Sequence, residues 1–164
     1  MFRAEGGGYS GSRSQPKEKA MADVTEVLEQ DHRKVEKLFE QIKGSRGAAR
    51  AKFVERLVSD LRLHMKVEES IVYPAIAKKV DDGDDMVEEA RTEHKGARKA
   101  LDDVEKLSPD KPGFDGALTM LEAGISHHVE EEESEVFPNL RKSVSAEELD
   151  ELGKKVTAAK KAAA

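Results

Sequence analysis

The chain is expected to be all-α: an antiparallel up-down four-helix bundle with a short additional C-terminal helix. Three observations predict this. Charged residues make up 38% of the 164 residues and aromatics 4%, a balance that suits solvated helices better than strands. Apolar residues recur at steps of three and four along four long segments. Gly- and Pro-containing breaks separate these segments, and short connections favour antiparallel neighbours.

Taken in order, residues 1–21 are read as a disordered tail. They contain Gly6-Gly7-Gly8, Ser10, Ser12, Ser14 and Pro16, too little apolar surface to order a chain. Met21 is read as an alternative start. Residues 22–142 are assigned to the bundle. Its first helix runs from about Val24 to Lys43, with Asp23 as N-cap, Glu26 completing a box-like signature, and Gly44 and Gly47 as stops. The second runs from about Ala48 to Val80, and Pro74 should kink or break it near its end. An acidic turn at Asp81-Asp82-Gly83-Asp84 leads to the third, about Asp85 to Leu107. The loop Ser108-Pro109-Asp110-Lys111-Pro112-Gly113 precedes the fourth, about Phe114 to Lys142, which carries a late Pro138. Residues 143–164 form a short helix, capped by Ser145 with Glu148, whose basic, Ala-rich end from Lys154 should fray.

Several function classes drop out. There is no cysteine, which excludes disulfides, zinc fingers, Cys-ligated iron–sulfur clusters and thiol chemistry. No apolar run approaches the ~20 residues of a membrane span. The N-terminus lacks the apolar core of a secretory signal, so the expected location is cytoplasmic. A net charge of −6 argues against nucleic acid or an anionic membrane as partner. Neither a Gly-rich phosphate loop nor a Ser/His/Asp signature is present, and Asp81 to Asp85 lacks the spacing of a calcium-binding loop.

The inward faces carry the chemistry. The first stripe is Leu28, His32, Val35, Phe39 and Ile42, and the second is Phe53, Leu57, Leu61, His64, Glu68 and Ile71. The third is Val87, Ala90, His94, Ala97, Leu101 and Val104. The fourth is Phe114, Ala117, Leu121, Ile125, His128, Glu132 and Val136. Each stripe holds one histidine and two hold a glutamate, so the histidines can meet in one internal layer. A lone histidine on an apolar face is usually a satisfied core residue. Glutamate is almost never fully buried unless paired, and burying it alone costs several kcal/mol. A metal cluster accounts for all six groups at once. His64 and Glu68 stand one helical turn apart, as do His128 and Glu132. The imidazole can bind one ion while the carboxylate reaches a second, roughly 3.5–4 Å away. Nitrogen and oxygen donors suit iron or manganese better than copper, and zinc remains open.

An internal repeat strengthens this. His64 to Pro74 and His128 to Pro138 share the pattern H-x-x-x-E-E-S-x-V-[YF]-P, and Asp31-His32 upstream matches Glu93-His94. Two helix pairs related by a pseudo-two-fold would each donate a His, then a His and a Glu. The order His, His-x-x-x-Glu, His, His-x-x-x-Glu, with Pro after each motif, resembles the hemerythrin-like HHE cation-binding family over roughly residues 22–142.

That resemblance implies a four-helix bundle around two iron ions, a non-haem di-iron centre with an oxo or hydroxo bridge. His32, His64, His94 and His128 would be terminal ligands, and Glu68 and Glu132 bridging carboxylates. The oxygen-carrying members have a fifth histidine where this chain has Arg98. Glu36, one turn after His32, and Tyr73, placed by its neighbour Pro74 away from the cluster layer, are the substitutes considered. A missing ligand leaves one ion open to dioxygen, peroxide or nitric oxide. His127 points about 100° from His128 and is discounted together with Glu131. The run Glu130 to Glu133 is otherwise read as a solvated acidic face. Glu29 mimics a ferritin-like Glu-x-x-His, but Leu61, Arg91 and Ile125 occupy the equivalent positions. Small residues near His94 (Ala90, Gly96 and Ala97) leave either a ligand pocket or room for close packing. The reading is a di-iron protein that binds and reacts with small oxidants. The alternatives are a non-catalytic sensor, carrier or store, and a helical interaction protein with a vestigial polar core.

Overall fold

A computed structural model describes residues 22–164, and the expected tail at residues 1–21 lies outside the described residues. The first helix, α1 (Val24–Lys43), begins where expected. The Asp23 carboxylate accepts from the backbone N–H groups of Thr25 at 2.8 Å and Glu26 at 3.1 Å, and Gly44 closes the other end.

The second rod is built in three parts: α2 (Gly47–Val67), a π-helical turn (Glu68–Val72) and α3 (Tyr73–Lys79). Pro74 does not end the rod. Proline lacks an N–H and its ring crowds the carbonyl four residues back. Here the backbone widens just upstream, and the N–H of Tyr73 bonds the carbonyl of Glu68, five residues back. α4 (Gly83–Glu105) follows. It starts two residues earlier than the acidic turn predicts. Asp82 turns the chain with a left-handed φ of 58°, and a side chain at Gly83 would collide with the Ile76 carbonyl. The fourth rod repeats the second: α5 (Phe114–Glu131), a π-helical turn (Glu132–Val136) and α6 (Phe137–Ser143). Its N–H of Phe137 bonds the carbonyl of Glu132.

The C-terminal helix α7 (Ala146–Ala163) opens with the expected capping box of Ser145 and Glu148. It continues through the segment read as a fraying end and packs against α1 and α2. Leu149, Gly153 and Val156 are buried there. Among the described residues there is no strand, and no helix is long and apolar enough to cross a membrane.

Buried apolar side chains form two clusters. One holds Val35, Phe39, Leu61, Met65, Ala97 and Ile125 among others; the second holds Leu28, Val67, Val72, Phe137 and Val156 among others. The four histidines and two glutamates of the stripes lie in a polar layer between them.

Two glycines separate packing from helix propensity. A Cβ on Gly96 meets nothing within 4 Å, whereas one on Gly153 would lie 2.6 Å from the Ala22 carbonyl oxygen. Gly96→Ala should stabilise the fold by up to about 1 kcal/mol, the ordinary helical gain. Gly153→Ala should destabilise it by about 1–3 kcal/mol, because α7 must move off α1. Urea unfolding of both variants checks this, and a stabilising Gly153→Ala would refute the close approach.

Candidate metal centre

His32, His64, Glu68, His94, His128 and Glu132 are each between 0% and 5% exposed. They gather in two groups of metal-capable atoms that share one residue. One group is His32, His64, Glu68 and Glu132, and the other is Glu68, His94 and His128. In the first, the His32 and His64 Nε2 atoms are 3.2 Å apart; in the second, those of His94 and His128 are 3.1 Å apart. Two ligand atoms bound at right angles to one ion, each at about 2.1 Å, lie roughly 3 Å apart. Glu68 spans the groups, with Oε1 2.8 Å from His64 Nε2 and Oε2 3.1 Å from His94 Nε2. Glu132 does the same, with Oε2 3.3 Å from His32 Nε2 and Oε1 3.4 Å from His128 Nε2.

The residues present fit a pair of cations. Both Glu68 oxygens and Oε2 of Glu132 are buried without a directed hydrogen bond. Orphaned carboxylate oxygens facing converging imidazole nitrogens are expensive unless a cation receives them.

Each imidazole is aimed by a carboxylate behind it. His32 Nδ1 donates to Glu133 at 2.7 Å, His94 Nδ1 to Glu69 at 2.8 Å and His128 Nδ1 to Glu93 at 2.6 Å. His64 Nδ1 faces Asp31 at 3.4 Å. With Nδ1 turned to its carboxylate, each Nε2 faces inward, where a metal ion would take the place of any proton it carries, the arrangement that metal-binding histidines use. These four carboxylates are absent from the sequence-derived site, although the repeat displays them. Asp31 and Glu93 precede the first histidine of each half, and Glu69 and Glu133 are the second glutamates of the E-E-S pattern. Glu133, expected on a solvated face, therefore belongs to the site.

Outside the carboxylates lie cations. Arg98 donates to Glu69 at 2.6 Å, Arg33 to Glu133, and Lys160 of α7 to both oxygens of Asp31. Arg98, at the fifth-histidine position, thus holds a carboxylate rather than replacing a ligand. Glu36 is exposed and pairs with Arg33 at 2.9 Å, so it stands away from the cluster. Tyr73 corrects the expectation in the other direction. It is 1% exposed, and its hydroxyl lies 3.1 Å from His94 Nε2 and 3.2 Å from Glu132 Oε1. The cause is the π-turn. Five residues of regular helix would place Tyr73 about 140° round from Glu68, and the extra residue absorbed by the turn brings it back to about 40°. Phe137 holds the corresponding place in the other half, stacked on His32 with ring centroids 5.9 Å apart.

Other residues set aside by the sequence lie outside the layer. His127 is exposed, with Nε2 3.1 Å from Glu131 and 3.4 Å from Glu93. Glu29 accepts from Arg141 at 2.5 Å. Gly96 faces solvent and makes neither a pocket nor a close contact, while Ala90 and Ala97 are buried.

The electrostatics follow the geometry. Burial disfavours a charged His64, but Glu68, Asp31 and Glu132 outweigh it and push its pKa up to about 10. Burial likewise opposes the Glu68 carboxylate, yet His64, His128 and His94 hold its pKa well below the ordinary value. Asp31 is held down to about 2 because its partners His64 and Lys160 outweigh its burial. Burial, then the charges of Glu68 and Glu132, drive the Tyr73 phenol far above its usual range, so it keeps its proton.

These shifts fix a sign in the metal-free chain. The raised His64 contributes stability that is complete below its ordinary 6.5 and is lost as pH rises towards about 10. The lowered Asp31 contributes stability present above its ordinary 3.8 and lost as pH falls towards about 2. The urea midpoint of the metal-free protein should therefore decline on both sides of that interval. A divalent ion that displaces the imidazole proton should remove the alkaline decline. A flat alkaline limb without metal would contradict a charged His64.

Comparison with known proteins places this geometry. Residues 23–140 match the family model described as the hemerythrin HHE cation binding domain. The chain is 29% identical over 130 residues to an uncharacterised hemerythrin-like protein of Schizosaccharomyces pombe, covering 78% of this chain and 64% of that protein. It is 26% identical over 155 residues to a Nostoc protein named a DNA nickase, covering 94% of this chain and 44% of that protein. The chain thus spans about half to two thirds of the length of these relatives. A crystal structure of a hemerythrin HHE cation binding domain-containing protein from Mycobacterium kansasii superposes with a TM-score of 0.78. It shares 23% identity and covers 87% of this chain and 88% of that one, a likeness of fold. The chain belongs to the hemerythrin HHE cation-binding domain family.

Proposed function

We propose that this domain holds two iron ions in a non-haem di-iron centre and uses it to bind, and react with, small oxidants: dioxygen, peroxide or nitric oxide. The observation that carries the reading is the pair of buried ligand groups that share Glu68, with its two oxygens turned to different histidines. In this reading His32 and His64 would hold one ion and His94 and His128 the other, with Glu68 and Glu132 offering an oxygen to each. An iron pair supplies redox chemistry and exchangeable positions for a small ligand.

The chain's own residues do the rest. The apolar clusters above and below exclude bulk water, so only small molecules reach the layer. Asp31, Glu69, Glu93 and Glu133 aim the imidazoles and raise their basicity. Tyr73 holds a proton on its hydroxyl beside His94 and Glu132, where it can donate to one of them or to a bound ligand. Small molecules rather than nucleic acid as partners belong to the same proposal and rest on the net charge of −6.

Iron analysis with optical spectroscopy, followed by titration with dioxygen, peroxide and nitric oxide, tests this. Two irons per chain and catalytic consumption of a titrant are expected. Stoichiometric binding without turnover would make the protein a carrier, sensor or store instead. Glu68→Ala and Glu132→Ala should each abolish two-iron binding while circular dichroism stays helical. Either variant keeping two irons with an unaltered spectrum would refute the ligand assignment. Glu133→Ala should leave both ions bindable but weaken affinity by about 10- to 100-fold, because His32 loses the acceptor that orients it. Competition with a chelator reads this directly, and unchanged affinity would deny Glu133 its role.

A further inference from the structure

The four carboxylates behind the histidines are not treated alike. Three carry a permanent cation: Lys160 on Asp31, Arg98 on Glu69 and Arg33 on Glu133. The fourth, Glu93, carries none. Among the described residues no lysine or arginine pairs with it, and its outward oxygen faces another carboxylate and an imidazole instead. Oε2 of Glu93 accepts from His128 Nδ1 at 2.6 Å. Oε1 lies 3.4 Å from Nε2 of His127, and that same Nε2 lies 3.1 Å from Oε1 of Glu131. One atom from each of Glu93, His127 and Glu131 falls within 4.8 Å of the others, a spacing suited to one ion.

We propose that Glu93, His127 and Glu131 form a separate, surface-accessible site for a single exchangeable divalent transition-metal cation. The bound ion takes the place that Lys160, Arg98 and Arg33 fill behind the other three carboxylates. It rests on the di-iron reading only for the role of His128; the three ligands stand on their own geometry. One imidazole and two carboxylates suit manganese(II), iron(II) or zinc(II). The surroundings favour a cation as well. Glu89 and Glu135 add negative charge nearby, lining an adjoining cavity of about 30 Å³ together with Glu93, Glu131 and the buried Glu132. Clustered negative charge raises the local cation concentration. Through Glu93 the site touches the centre: an ion on Oε1 draws electron density from the carboxylate that orients His128.

The test uses the full chain with its centre loaded with iron, titrated with manganese(II). Electron paramagnetic resonance counts free ion, and metal analysis after desalting counts bound ion. The wild type should take up one manganese per chain beyond the iron. The double variant His127→Ala/Glu131→Gln should take up none, with iron content and optical spectrum unchanged. His127→Lys, which supplies the permanent cation that the other positions have, should exclude manganese too, and covers the case where the double variant folds poorly. No manganese in the wild type overturns the proposal; so does equal uptake by the double variant. A wild type that holds no iron pair but binds one manganese, lost in the double variant, would sink the di-iron reading and leave the surface site standing.

Discussion

Two carboxylates buried in an apolar bundle are the constraint on which the rest of this structure depends. Glu68 is fully buried and Glu132 is 1% exposed. An isolated charge so placed costs several kcal/mol, against a total stability of typically ~5–15 kcal/mol. The protein answers with nested polar shells. Imidazoles surround the glutamates, carboxylates back the imidazoles, and in three of four places a lysine or arginine backs the carboxylate. Each shell reduces the cost of the one inside it. The outermost shell sits where water can hydrate it, so the net price of charge is paid near solvent.

This layering explains why the chain needs its last helix. Four helices can supply the six inner groups, but Asp31 takes its cation from Lys160, near the end of α7. Packing of Leu149, Gly153 and Val156 brings that helix alongside α1. A helix whose sequence looks peripheral is in this way coupled to His64, two bonds of the network away from the centre.

Much of this was legible in the residues. The stripes placed the six inner groups in one layer, and the structure brings all six together. Asp23, Gly44 and the Ser145–Glu148 box marked helix ends by local chemistry that needs no tertiary context. What escaped depended on phase or on long-range pairing. Periodicity assumes 3.6 residues per turn, so it could not see that two π-turns rephase the helices and swing Tyr73 inward. The carboxylates at 31, 69, 93 and 133 lie at the edges of their stripes, where helical periodicity reads them as solvent-facing. Only the repeat exposes them, because an edge position that recurs in both halves has a partner to meet. Lys160 had no such signal, since α7 lies outside the duplicated unit.

One break in the duplication is a single hydroxyl. Tyr73 and Phe137 occupy matching places over His94 and His32, and they differ by a hydroxyl. A perfectly two-fold layer would have identical surroundings at its two ends. The phenol oxygen removes that equivalence: one end of the layer has a hydrogen-bond donor and the other a hydrocarbon ring. The layer therefore has a direction, with a proton donor beside His94 and a hydrocarbon face beside His32, that the repeat pattern itself does not contain.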